Sequence, residues 1–182
     1  TALDALAHTV EGWFAPGCGD VPTLFGARAL ALLGEGLSWL AENDGLPDSG
    51  LRERLYYGSL YAGMVLGACG TGFPHPFSYI LTEDFGIPHG MGCAVFLPAF
   101  TERAEQFAPA RAEALFSNFG GRETYYRVLR RLVTAEVRMT PEQVSDYAGR
   151  WTGLRNFERT PGGFTPALGE ELFRRLFCGP AQ

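Results

Sequence analysis

Lysine is absent: all 15 cationic side chains of this 182-residue chain are arginine. Schiff-base chemistry, a lysine general base and a Walker-type phosphate lysine are thereby excluded within it. No apolar run reaches the roughly 18 residues a membrane span needs, and no signal peptide is expected. The four cysteines, Cys18, Cys69, Cys93 and Cys178, contain no C-x-x-C pair. They match neither a zinc-finger spacing nor a disulfide framework, so free buried thiols in a reducing cytoplasm are expected. A net charge of −5 and a pI near 5.2 lack the basic face of a nucleic-acid binder. The arginines alternate with acids, as in Arg52-Glu-Arg54 and Arg111-Ala-Glu113, the pattern of solvated helix faces.

Other absences narrow the chemistry. The His-Glu-x-x-His of zinc proteases does not occur, nor the His-Asp dipeptide of metal phosphohydrolases. No histidine has glutamate three positions earlier, which a di-iron carboxylate bundle requires. G-x-S-x-G, the nucleophile elbow of a catalytic triad, is missing as well.

What remains is a chain of one-domain size, 46% hydrophobic and near zero in mean hydropathy, which reads as soluble and globular. It is poor in Val and Ile and rich in Leu and Ala, a balance that favours helices. Helical periodicity predicts helices over 3–14, 22–41 and 50–69, the last capped by Asp48-Ser49. Gly67-Ala-Cys-Gly70-Thr-Gly72 has no strand before it and predicts a tight helix connection rather than a phosphate loop. Further helices are expected over 76–84, about 89–106 with a bend near Pro98, 109–117, 122–136, 141–151 and 166–177. Thr140-Pro-Glu-Gln143 is a capping box, and Thr165-Pro166 repeats its logic. The expected fold is one all-α domain over 1–182.

The three histidines, His8, His75 and His89, carry the chemistry. Asp4 and His8 stand four apart on the first predicted helix, which puts both on one face. His75 and His89 each follow a proline, and Pro74 and Pro88 bias Phe73 and Ile87 towards extended backbone. Gly90 lets backbone approach closely beside His89. Three imidazoles and one carboxylate would complete the ligand shell of a divalent transition metal. Cys93, four after His89, could approach the same ion, although a buried thiol is the plainer reading. Phe73, Phe77, Tyr79, Phe85 and Phe96 lie around these ligands, as walls of a water-free site or as bundle core.

Three segments resemble a known family. Asp4-Ala-Leu-Ala-His8-Thr-Val-Glu11 is similar to the Asp-Ala-Leu-x-His-Ala-(Ile/Leu)-Glu segment of the iron-containing (group III) alcohol dehydrogenases. Phe73-Pro-His75, then Gly86-Ile-Pro-His89-Gly90 continuing into Cys93-Ala-Val-Phe-Leu-Pro98, resembles that family's second and third histidine segments. Arg52-Glu-Arg-Leu-Tyr-Tyr-Gly-Ser59-Leu-Tyr-Ala-Gly63 resembles the helix between them, and the likeness covers roughly residues 1–100.

The resemblance implies the C-terminal helical domain of that family, within the dehydroquinate synthase-like superfamily. Asp4, His8, His75 and His89 would hold the metal. His8 points to the iron-type branch, hence Fe²⁺, with Zn²⁺ accepted by the same shell. NAD(P) would be bound mainly by an N-terminal Rossmann-like half. No Gly-Gly-Gly-Ser segment of that half occurs here, and a chain opening at Thr1, just before Asp4, is expected to lack it. Many members place a histidine four residues after the ligand matching His75; here Tyr79 stands there, to relay a proton or to pack. The implied activity is that of a cytoplasmic alcohol dehydrogenase or aldehyde reductase acting on a small alcohol or aldehyde. The isolated chain would be inactive, and the face left by the missing half would invite self-association. Two rivals are a non-enzymatic structural or oligomerisation module and a metal hydrolase, for which Glu11 is the only candidate base near His8.

Overall fold

Leu6 and Val10, three and four residues from their neighbours on one stripe, are fully buried and draw the first helix into the centre of a bundle. The computed structural model describes residues 1–179. Its helices are α1 (Ala2–Phe14), α2 (Asp20–Glu42), α3 (Ser49–Cys69), α4 (Pro74–Phe85) and α5 (His89–Phe107). They are followed by α6 (Pro109–Ser117), α7 (Arg122–Leu132), α8 (Pro141–Ala148), a 3₁₀ turn (Gly149–Trp151), α9 (Arg155–Glu158) and α10 (Pro166–Phe177). No strand occurs among the described residues, so the fold is all-α as expected.

Local chemistry explains most boundaries. Asp48 Oδ1 accepts from the Leu51 amide at 2.8 Å and starts α3. Gly70, at φ +68°, ends it and turns the chain tightly into α4. The Thr140–Gln143 capping box forms in both directions, with bonds of 2.9 and 3.3 Å. Thr165 Oγ1 accepts from the Leu168 amide and starts α10.

α1 packs against α2, α3 and α5. Gly12 has no room for a Cβ, because the Val65 side chain of α3 packs directly on the α1 backbone there. α2 is the one helix among the described residues long and apolar enough to cross a membrane. In this fold it buries Ala29, Leu30, Leu33 and Leu37 in the core, and its exposed faces carry Arg28 and Glu35.

The structure corrects four expectations. Helix α7 ends at Leu132, not 136, because the β-branched Val133, Thr134 and Val137 favour extended chain, and the Met139 amide then donates to the Phe177 carbonyl at 3.1 Å. The short α9, unmarked by any periodicity, lies between the 3₁₀ turn and α10. Phe73 is helical (φ −70°, ψ −25°) despite preceding a proline. Its buried ring and the bond from its amide to Thr160 Oγ1 at 3.2 Å outweigh the local bias. Cys18 and Cys69 are disulfide-bonded across 51 residues of sequence, whereas only Cys93 and Cys178 are free thiols. The fold brings the α1–α2 connection against the end of α3, leaving 5.6 Å between their Cα atoms, a proximity no spacing pattern encodes.

Candidate metal centre

Asp4 and His8 project from the first turns of α1, His75 from the first turn of α4, and His89 from the first residue of α5. Asp4 Oδ1 is the meeting point. It lies 3.8 Å from His8 Nε2, 3.6 Å from His75 Nε2 and 3.5 Å from His89 Nε2. The His8 and His75 rings stack with centroids 4.5 Å apart, and His89 stands edge-on to His75 at 5.4 Å. The four residues chosen from sequence thus converge on one point.

Gly90 permits this convergence. A Cβ there would lie 2.8 Å from Asp4 Cβ and 2.9 Å from the Asp4 amide nitrogen. The start of α5 therefore rests directly on the first turn of α1, as the Gly90 reading anticipated.

Two bonds hold the rings from behind. Glu11, one turn beyond His8 and wholly buried, lies 2.6 Å from His75 Nδ1. Ser78 Oγ donates to the His75 carbonyl at 2.7 Å and lies 3.2 Å from His89 Nδ1, where it accepts. With both Nδ1 atoms engaged, the free lone pairs belong to Nε2, which in each ring faces Asp4. From sequence, Glu11 stands only as a candidate base beside His8, and nothing marks Ser78. The signal available was spacing: Glu11 follows Asp4 by seven residues and so shares its face.

Buried Asp4 Oδ1 and His75 Nε2 have no hydrogen-bond partner. Such atoms cost free energy unless something satisfies them, and a carboxylate amid imidazole nitrogens fits a divalent cation. Without a metal, the same neighbours set the protonation of the cluster, and an ion would have to displace a proton from His75. Burial, then the neighbouring His75 charge, pulls His8 down to about 4. Burial also opposes charge on His75, but the facing Asp4, then Cys93 and Glu11, more than offset it and raise His75 to about 12. Burial raises the Asp4 pKa, but the facing His75 and the charges of the three imidazoles bring the net value down. Burial raises Glu11 too, so the proton between Glu11 and His75 belongs to the pair.

Tyr79 is half exposed and stacks on His89, centroids 5.6 Å apart and rings 12° from parallel. Phe73, Phe77 and Phe96 are fully buried bundle core, with Phe77 in contact with Phe96, Trp151, Phe157 and Phe173. Cys93, buried one turn after His89, places Sγ 3.7 Å from His89 Nε2.

Fold and site together define an all-helical domain with a carboxylate–imidazole cluster suited to a divalent ion. Residues 1–141 match the profile of the Fe-containing alcohol dehydrogenase family, C-terminal part, and the chain belongs to that family. An NAD-dependent methanol dehydrogenase of Bacillus methanolicus is 30% identical over 141 residues, 75% of this chain and 36% of that enzyme. Maleylacetate reductase 2 of Cupriavidus pinatubonensis is 31% identical over 110 residues, 60% of this chain and 30% of its own length. An iron-containing alcohol dehydrogenase of Thermotoga maritima shares the fold with a TM-score of 0.85 at 24% identity, over 98% of this chain and 48% of that one. The chain spans about half the length of the solved structures it matches and about a third of these curated relatives.

Proposed function

We propose that this chain is the metal-binding half of an NAD(P)-dependent alcohol dehydrogenase or aldehyde reductase. Asp4, His8, His75 and His89 would hold one Fe²⁺, or Zn²⁺ in its place. The observation that carries this reading is buried, unpartnered Asp4 Oδ1 with three imidazole Nε2 atoms within 3.8 Å. A divalent ion held there supplies Lewis acidity toward an alcohol or carbonyl oxygen.

The chain's own residues supply positioning. Glu11 and Ser78 hold His75 and His89 in the tautomer that presents Nε2. Gly90 fixes α5 on α1, so the donors are pre-organised by backbone packing. Tyr79 walls the exposed side of His89 with its ring and offers a phenol for proton relay. Glu11, sealed from solvent and bonded to His75, is not placed to activate water, which removes the only base suggested for a hydrolase.

The nicotinamide cofactor would be bound mainly by an N-terminal nucleotide-binding half outside this chain, so the isolated chain would not turn over. The name of the Bacillus relative and an NAD⁺ complex of a sulfoacetaldehyde reductase with this fold support that cofactor class. The substrate would be a small alcohol or aldehyde, and the setting the cytoplasm. A second reading, a helical module serving only subunit contacts, draws on Tyr56, Leu60 and Met64, exposed one turn apart on α3.

Elemental analysis after anaerobic loading with Fe²⁺ or Zn²⁺ separates these readings. About one equivalent per chain is expected, lost in His75→Ala. A folded parent that retains no metal would overturn the metal-centre reading and favour the contact module.

A further inference from the structure

We propose that Cys93 is a metal ligand, making the centre of this chain a mixed nitrogen, oxygen and sulfur site. The inference rests on the reading above that the cluster holds a divalent ion, and it deepens that reading by naming a donor and the metals it favours.

The donor atoms of Asp4, His75, His89 and Cys93 all lie within 4.8 Å of one another. Around a tetrahedral ion, donors at about 2.1 Å for nitrogen and about 2.3 Å for sulfur stand about 3.6 Å apart. Cys93 Sγ is 3.7 Å from His89 Nε2, and Asp4 Oδ1 is 3.6 and 3.5 Å from the two imidazoles. Three edges of this set therefore already have coordination-shell length before any ion draws them in.

Helical geometry accounts for the placement. His89 and Cys93 are four residues apart on α5, so both point from one face towards the first turn of α1. A buried cysteine often acts only as a small apolar filler. Here its sulfur faces the nitrogen of a candidate ligand, and the same cluster contains His75 Nε2, unpartnered on a side chain 6% exposed. His8 stacks on His75 and reaches Asp4 at 3.8 Å, so it keeps its place among the donors and Cys93 is added to them.

When the ion binds, a sulfur–metal bond replaces the S–H bond and the proton passes to water, with no change of oxidation state. Thiolate favours Zn²⁺ or Co²⁺ over the harder ions that oxygen and nitrogen alone accept. The site would accordingly take up Zn²⁺ in preference to Fe²⁺ when both are offered.

Cobalt provides the test, because its visible bands report a low-symmetry site and a separate near-ultraviolet charge-transfer band reports a Co–S bond. The full chain is stripped of metal and titrated with Co²⁺, beside Cys93→Ser, Cys93→Ala and a Cys178→Ser control, each checked for helicity. Both sets of bands are expected in the parent and in Cys178→Ser, with loss of only the near-ultraviolet band in the Cys93 variants. Visible bands without a sulfur band in the parent would overturn the Cys93 assignment and leave the metal centre standing. A near-ultraviolet band that persists without Cys93 would overturn the assignment too. A folded parent with neither set of bands would sink the metal-centre reading itself.

Discussion

Helix α4 separates two buried clusters of contrasting composition. On one side His75 meets Asp4, Glu11 and the rings of His8 and His89. On the other, two residues along, Phe77 packs among Phe96, Trp151, Phe157, Phe164 and Phe173. A two-residue step on a helix turns about 200°, so neighbouring positions serve opposite faces. The aromatic side removes large apolar surface from water and adds edge-to-face contacts, which stabilise the fold. The polar side takes charge and lone pairs out of water and leaves Asp4 Oδ1 and His75 Nε2 without partners, which does the opposite. One half of the interior holds the chain together so that the other half can hold donors in an arrangement the chain alone would not favour.

Substitutions on the two sides should part along this line. The largest expected effect is on the aromatic side. Phe173→Ala should lower unfolding stability by about 3–5 kcal/mol in urea titrations while the molecules that remain folded bind as much metal as the parent. Loss of metal from a folded Phe173→Ala chain would mean that the two clusters are not separate.

On the polar side the balance reverses. Glu11→Gln keeps the shape but weakens the grip on His75 Nδ1, and metal affinity should fall about 10–100-fold in competition with a chelator. The metal-free variant should also lose some stability near neutral pH, since the amide no longer balances the charge that Asp4 and Glu11 hold on His75. Undiminished affinity in Glu11→Gln would show that α4 packing alone orients the ring.

The smallest effect is a pH slope. His8 titrates near 4 when folded against 6.5 in a free chain. Between those values the unfolded chain takes a proton that the folded one refuses, so His8 makes the metal-free chain less stable as pH falls from 6.5 towards 4. His75, raised to about 12, works the other way, adding stability below 6.5 that is lost as pH rises through its folded value. His8→Gln should therefore remove a loss of stability on acidification; a parent and variant with parallel stability curves over that range would contradict the depressed value.

Much of this was legible in the residues. The i,i+4 spacing of Asp4 and His8, the capping box at Thr140 and the restriction-free Gly90 each carry their structural meaning locally. The helices α2, α3, α6 and α10 follow from periodicity to within a few residues. The four residues of α9 are too few to show a period, and the exit from α7 is set by a tertiary bond to Phe177 as much as by Val133. Glu11 takes its meaning only from α4 docking beside it, and the Cys18–Cys69 pair only from the return of α3. Residues 142–179 lie beyond the family match, yet the fold likeness covers 98% of the chain. There, apolar patterning preserves architecture without leaving a readable motif.

The contact between Glu11 and His75 spans 64 residues of sequence, and α2 and α3 must both be laid down before α4 can bring its ring to α1. A centre closed over so long a loop has no counterpart in the disordered chain. An ion that binds there is accordingly a ligand of the folded state alone, and at a hundred times its dissociation constant it would deepen the folding free energy by about 2.7 kcal/mol. Metal supply would then govern how much of the protein survives in the cell, quite apart from any turnover.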